Sequence, residues 1–425
     1  MLSRPFRFLQ SSDFHLEQPC YGLTEVPDHL AELLADAPYR AATRVFDLAI
    51  SEAVDFVLLA GNLVHPNRAG PRGLAFLHEQ FARLAERGIA VYWAAGETDC
   101  RHQWPPSIDW PRNVHVFSGH RVERLIHSRD GQPICQIAGL SFDESVANGV
   151  GGSPAVFLDD FAAGADQPFT IAVVPRELDP TALAAHPVRY WALASGPNSA
   201  TSLALLNPSR LAHTAGSPQG RCPAQIGMHG CTLVKVDEAS QFQVILLACD
   251  VVRWHQERII VAAGTSRTEL DHLFHERLKS LMVAAPDRTL LIHWTISGEG
   301  PLLSEARQTA LATELTSSLR VEYGFRTPAA WTSSIEVEPP ALPEAWFEQE
   351  TLLGEFLRAV RDREVSRAEP LDLRSYLSEK RRAESWAGWA TIDEPAARSS
   401  ILRQAEFLGS ELLHPDYAGA KELAR

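Results

Sequence analysis

Asp13 and His15 stand two residues apart, where the apolar run Phe6 to Gln10 gives way to Ser11-Ser12-Asp13-Phe14-His15-Leu16-Glu17. A carboxylate and an imidazole leaving the same strand end make a sensible pair for one divalent cation. Two more apolar runs end in polar residues. Asp55 to Ala60 leads into Gly61-Asn62-Leu63-Val64-His65-Pro66, and Ile89 to Ala94 leads into Ala95-Gly96-Glu97-Thr98-Asp99. Three consecutive strands thus deliver polar side chains at their C-terminal ends. A purely structural role is open at each position. Asp13 and His15 can cap the following loop, Glu97 can pair locally with Arg101, and His65 can be a surface histidine.

The elements that would position these residues follow from periodicity. Residues 40–53 place Val45, Phe46, Leu48 and Ala49 at helical spacing. Residues 71–87 open with Pro71, put Leu74, Leu77, Phe81 and Leu84 on one face, and stop at Gly88. The β-α-β-α-β rhythm with fully apolar strands predicts a sheet covered by helices, and in such sheets sites form where strands end. Further strands are expected at Pro133–Leu140, Phe169–Val174 and Arg189–Leu193, with a hairpin of Cys231–Val236 and Phe242–Leu247. Beyond residue 250 a second set appears: strands at Arg258–Val261, Thr289–Ile296 and Ser334–Val337, and helices at 267–283 and 304–319. Pro339, Pro340 and Pro343 then break the pattern, and the remainder reads as helical. Ile401, Leu402, Ala405, Leu408 and Leu412 share one face of a terminal helix running from Pro395 to His414-Pro415.

The chain has 425 residues, 45% of them apolar and 22% charged, as expected of two or three globular domains. Its net charge of −14 argues against non-specific coating of nucleic acid, which rests on neutralised phosphates. Lys235, Lys279, Lys380 and Lys421 are the only lysines, so the positive charge is almost all arginine. The six cysteines form no C-x-x-C pair, which speaks against a zinc ribbon and for buried reduced thiols. No apolar run is long enough to span a bilayer, and the first residues do not read as a signal peptide. The expectation is a cytoplasmic protein with no membrane association.

The ordered series of motifs resembles the calcineurin-like metallophosphoesterases, in particular the bacterial SbcD exonuclease subunits and their YhaO-type relatives. Arg189-Tyr190-Trp191-Ala192-Leu193 resembles the strand leading to the last metal-binding motif of that family. Ala215-Gly216-Ser217-Pro218-Gln219-Gly220-Arg221, followed by Gly230-Cys231-Thr232-Leu233-Val234, resembles a stretch specific to these nucleases. Val252-Arg253-Trp254 fits the start of their capping domain. The resemblance implies an α/β phosphoesterase sandwich of α/β/β/α layers in residues 1–250. A small α+β capping domain would follow in 251–340, and a helical C-terminal tail in 341–425. It also implies exonuclease chemistry on two manganese ions, a role in DNA double-strand-break repair, and tail helices that dock on a coiled-coil ATPase of the SbcC type. DNA is a further partner by the same implication, and a homodimer is open.

The family's metal positions match only in part. Its Asp-x-His motif is Asp13 and His15. Where the family carries Gly-Asp, whose carboxylate bridges the two metals, the chain has Gly61-Asn62. Where it carries Gly-Asn-His-Asp, the chain has Gly96-Glu97-Thr98-Asp99. The later histidines fall on Pro175 and on Ala194-Ser195-Gly196-Pro197. His65 fits a histidine that faces the active site in the nuclease branch and is the one catalytic candidate. Two unit charges ~4 Å apart repel by ~4 kcal/mol at an effective dielectric of ~20, and two divalent cations by about four times as much. Asn62 offers only a neutral oxygen against that repulsion. The expected metal set is therefore Asp13, His15, Glu97 and Asn62, holding one weakly bound manganese or magnesium ion or none. Three readings follow: a catalytically impaired binding or regulatory subunit, an active phosphodiesterase or exonuclease with a reduced metal site, and an interaction module without enzymatic activity.

Overall fold

The computed structural model describes residues 4–413 except 106, 144–157, 159, 162–168, 196–200, 208, 301, 304–310, 340–341, 367–369, 379–380, 382–389 and 393–394. The described chain divides into two compact units. One comprises residues 1–256, 278–293 and 317–334, and the other 257–277, 294–316 and 335–425.

The first unit is built on two six-stranded mixed sheets. One sheet contains β1 (Phe6–Ser12), β2 (Phe56–Gly61), β3 (Ala90–Ala95), β4 (Val114–Val116), β11 (Gly230–Val236) and β12 (Phe242–Ala248), in the order β12-β11-β1-β2-β3-β4. Its strands β1 to β4 are parallel, and β11 pairs antiparallel with both β1 and β12. The other sheet contains β5 (Glu123–Arg129), β6 (Gln132–Gly139), β7 (Thr170–Val174), β8 (Tyr190–Leu193), β9 (Ser202–Asn207) and β10 (Arg210–Thr214), in the order β5-β6-β7-β8-β10-β9.

Alternation along the strands sends side chains to two cores. Phe8, Phe56, Leu58 and Ala60 meet Ile137, Phe169, Ile171 and Tyr190 between the sheets. Leu9, Val57, Leu59, Val91 and Trp93 face the outer layer, where α1 (Asp28–Ser51) brings Val45 and Phe46 and α2 (Pro66–Ala85) brings Leu77 and Phe81. Both faces of the central strands are buried, which is why their sequences read as unbroken apolar runs. Leu183, Trp191 and Leu193 pack with Phe161 on the far side of the second sheet. This is the expected α/β/β/α arrangement. All six cysteines are free thiols, and five of them are buried.

Three strands with two helices continue the chain: β13 (Val252–Val261), α3 (Arg267–Ala284), β14 (Thr289–Gly298), α4 (Leu311–Tyr323) and β15 (Ala330–Val337). The expected helix over 304–319 begins at Leu311 within the described residues. In the second unit, α5 (Leu352–Val365) and α6 (Pro395–Leu413) form an antiparallel pair. A side chain at Gly409 would collide with the Phe356 ring, Arg398 donates to the Ser366 carbonyl at 2.9 Å, and Ser399 donates to Glu364 at 2.7 Å. Leu402 is buried by this packing, whereas Leu408 and Leu412 are 56% and 68% exposed. The terminal apolar stripe is thus divided between a covered and an open part, and its expected end at His414-Pro415 lies outside the described residues. No helix among the described residues is long and apolar enough to cross a membrane.

A polar bridge crosses between the sheets. The Gln10 amide donates to the carbonyls of Leu193 and His213 at 3.2 and 3.1 Å, and the Tyr190 hydroxyl donates to the Gln10 side-chain oxygen at 2.6 Å. His213 contacts the Ser202 carbonyl at 2.8 Å and the Thr232 hydroxyl at 2.7 Å. Burial lowers the His213 pKa from 6.5 to about 4, so the ring is neutral in the folded protein. The unfolded chain binds that proton more readily. The stabilisation is therefore complete above the ordinary value and is lost as pH falls towards about 4. A shift of this size corresponds to roughly 3 kcal/mol. Melting curves recorded at about pH 8 and about pH 4.5 should show a smaller pH-dependent loss for His213→Gln than for the wild type.

Candidate functional site

The register of the parallel strands brings the candidate residues together. Ser12 lies beside Ala60, and Gly61 beside Ala95, so the segments after β1, β2 and β3 leave the sheet side by side. Asp13 and His15 both adopt left-handed backbone conformations, with φ of 51° and 46°. Such conformations cost about 1–2 kcal/mol each and persist only where the surroundings fix them. The fixing bonds run to the neighbouring loop, from His15 N–H to the Asn62 carbonyl and from Leu16 N–H to the Leu63 carbonyl, both 3.1 Å. Gly61 has φ of 77°, and a Cβ there would fall 2.5 Å from an Asp13 oxygen. Glycine is therefore required for the close approach.

Asp13 is 4% exposed. Its Oδ1 accepts from the Asn62 backbone N–H at 3.1 Å and from the Asn62 side-chain amide at 3.5 Å. Its Oδ2 accepts from the backbone N–H and the hydroxyl of Ser195, both 2.9 Å, at the end of β8 in the second sheet. The Asn62 side-chain oxygen in turn accepts from the Thr98 N–H at 2.9 Å and the Thr98 hydroxyl at 3.1 Å. Thr98, Asn62, Asp13 and Ser195 form one continuous hydrogen-bonded chain, and every acceptor oxygen in it already has protein donors.

His15 lies beside this chain, 3.7 Å from Glu17 and 3.4 Å from the Gln18 amide. Burial pushes the Glu17 carboxyl up, but His15 and the backbone N–H groups of Glu17 and His65 outweigh it, and its pKa lies below the ordinary value. His65 occupies the N-cap position of α2 without a side-chain capping bond and donates its backbone N–H to Glu17 at 2.9 Å. The His65 Nδ1 is buried without a hydrogen-bond partner, and the Glu17 Oε1 has only the longer contact to His15. Glu97 is exposed and makes no hydrogen bond to Asp13, His15 or Asn62. The structure therefore gathers Asp13, His15, Asn62 and, through Glu17, His65, and leaves Glu97 at the solvent. Among the described residues, no three His, Cys, Asp or Glu side chains are placed to hold a metal ion. The donor set does not fit a two-metal centre, because protein N–H and O–H groups stand where cations would have to contact Asp13 and Asn62. Pro175 follows β7 and has no side-chain ligand to offer, and Gly196 and Pro197 lie outside the described residues.

Two residues matter more than their sequence context suggested. Asp99 is fully buried and joins two loops, accepting from Leu63 N–H and Gly96 N–H, each at 2.6 Å. Burial pushes its pKa up to about 8 against the pull of the backbone N–H groups of Leu63, Gly96 and Val64. The signal was the last residue of the third motif, quoted above without a role. Arg221 is 5% exposed, and its Nε and Nη1 are buried without a partner. Burial lowers its pKa, while the charges of Tyr21, Asp13 and Glu17 raise it. The stretch before it is structural. Gln219 accepts from Val251 N–H at 3.0 Å and donates to the Val252 carbonyl at 2.6 Å, and Ser12 donates to the Gly216 carbonyl at 3.0 Å.

Residues 6–173 match the family model described as calcineurin-like phosphoesterase. Over that segment the chain is similar to the calcineurin-like phosphoesterases. It is similar to the uncharacterised metallophosphoesterase YhaO of Bacillus subtilis (strain 168), with 35% identity over 136 residues. That alignment covers 32% of this chain and 33% of the relative, so the likeness spans about a third of each. Among solved structures, a dimetal phosphatase from Danio rerio matches 57% of this chain and 98% of its own, with a TM-score of 0.36 and 11% identity. The matched segment holds Asp13, Asn62 and Asp99, while Ser195 and Arg221 come from later in the chain.

Removing the Asp99 carboxylate leaves two buried N–H groups without acceptors. Asp99→Ala should lower stability by about 3–5 kcal/mol, and Asp99→Asn by about half as much because it keeps one acceptor. Denaturant unfolding of both variants measures this.

Proposed function

We infer that this metallophosphoesterase domain belongs to a subunit associated with DNA double-strand-break repair, and that its hydrolytic centre is impaired. The observation that carries the impairment is the Asp13 carboxylate, with both oxygens taken up by Asn62 and Ser195. Hydrogen bonds to a charged group contribute ~1.5–3 kcal/mol each. A cation at Asp13 would have to displace several of them and find its remaining ligands among neutral side chains. The repair role is supported by the SbcD-type series of motifs and by the retained Gly216–Arg221 stretch. The net charge of −14 fits a binding or regulatory subunit better than one that holds DNA by broad electrostatics.

With linear duplex DNA and manganese, the purified protein should show no degradation above background and bind well under one equivalent of metal. Asn62→Asp combined with Thr98→His should not restore activity, because Pro175 and Ser195 still supply no histidine. Manganese-dependent degradation that is lost in an Asp13→Ala, His15→Ala double variant would overturn the proposal and favour an active enzyme with a reduced metal site.

The tail is proposed as the docking element for a coiled-coil ATPase, with Leu408 and Leu412 as the open part of its stripe. Leu408→Glu with Leu412→Glu should leave the melting temperature within a few degrees of the wild type and weaken association in a pull-down at least ~10-fold. Unchanged association would place the interface elsewhere.

A further inference from the structure

A cavity of about 720 Å³ lies along α2 in the first unit, next to the segment that carries His65. Its apolar wall is made by Pro66, Pro71, Leu74, Pro105, Ile108 and Trp110. Asn67, His78, Ser107 and Asp109 stand at its exposed rim. Among the described residues that line it there is no lysine or arginine, and Asp109 is the one carboxylate. The lining therefore disfavours anions, and its size and polarity are those of a small-molecule site.

Two features hold the cavity open. Gly70 interrupts α2 with φ of 61° and ψ of −159°, a conformation that is essentially restricted to glycine. A Cβ at Gly70 would meet nothing within 4 Å, so the space beside the kink is free. On the other wall, Trp110 packs edge-on against Trp104 at 5.6 Å, Trp93 at 5.7 Å and Phe81 at 5.4 Å, while Trp93 and Trp104 stack at 5.1 Å. Rings locked in this way give a surface that does not collapse into the gap.

We propose that this cavity is a binding site for a neutral, apolar aromatic small molecule that packs on the Trp110 ring. The inference stands apart from the repair reading, since none of its residues belongs to the Asp13 network. The wall includes Pro66, directly after His65, so an occupant would touch the first turn of α2 beside the candidate site.

The test uses the full-length protein and the neutral fluorophore phenylnaphthylamine. Binding should be saturable at one site, raise the probe's emission and quench tryptophan emission by energy transfer. Ala75→Phe fills the cavity from α2, and Ile108→Trp fills it from the opposite wall. Each should weaken binding at least ~10-fold, and Ala75→Ser should not. The second filling variant decides the matter if the first fails to fold. Probe binding that is indifferent to both fillings would overturn the proposal. So would binding that disappears as the protein self-associates at rising concentration, since a second copy would then cover this face.

Discussion

A buried carboxylate has to be satisfied, and the first unit is arranged around how Asp13 meets that demand. Leaving an ionised carboxylate uncompensated in the interior costs several kcal/mol. Here the donors come from two sheets, Asn62 at the end of β2 and Ser195 at the end of β8. The Asp13 loop therefore ties the strand ends of both sheets to one point. The left-handed turns at Asp13 and His15 and the glycine at position 61 are consequences of that convergence. Thr98 extends the same network to the loop after β3.

Asp99 provides the second anchor of the same loops. It reaches back to Leu63 and across to Gly96, and so fixes the spacing within which Asn62 can meet both Asp13 and Thr98. These hydrogen bonds fix the spacing of the loops that follow β1, β2 and β3. They require neutral donors at specific positions, which Asn62, Thr98 and Ser195 supply. Deeper between the sheets, Gln10, Tyr190, His213 and Thr232 add directional bonds to an otherwise apolar interface. Apolar packing is non-directional, so such bonds specify which strands face one another.

Much of the fold was legible because the central strands are buried on both faces. Their apolar runs and the helical stripes of Val45-Phe46 and Leu74-Leu77-Phe81 follow directly from burial, and Pro71 and Gly88 mark the ends of the longer segment of α2. The helix over Asp28–Ser51 was read only from residue 40, because Pro38 lies inside it and proline is a poor helix former. The β5–β6 hairpin was missed although Asp130-Gly131, with φ of 55° and 70°, is a recognisable turn pair. Strands β9 and β10 carried no strong alternation, and their pairing at the sheet edge is a long-range matter.

The sequence alone determined the identity of the residues at the site. Asp13, His15, Asn62 and Thr98 could be located by motif, and Pro175 and Ser195 were legible without coordinates. Local spacing decides which elements form, and side-chain type decides which chemistry is open. The tertiary structure decided what those residues do to one another. That Ser195 donates twice to Asp13 from a strand in the other sheet, that Glu97 faces solvent, and that Arg221 is buried depend on pairing between segments far apart in the chain. A motif has no means of encoding that geometry, because it is set by sheet register and core packing rather than by neighbouring residues.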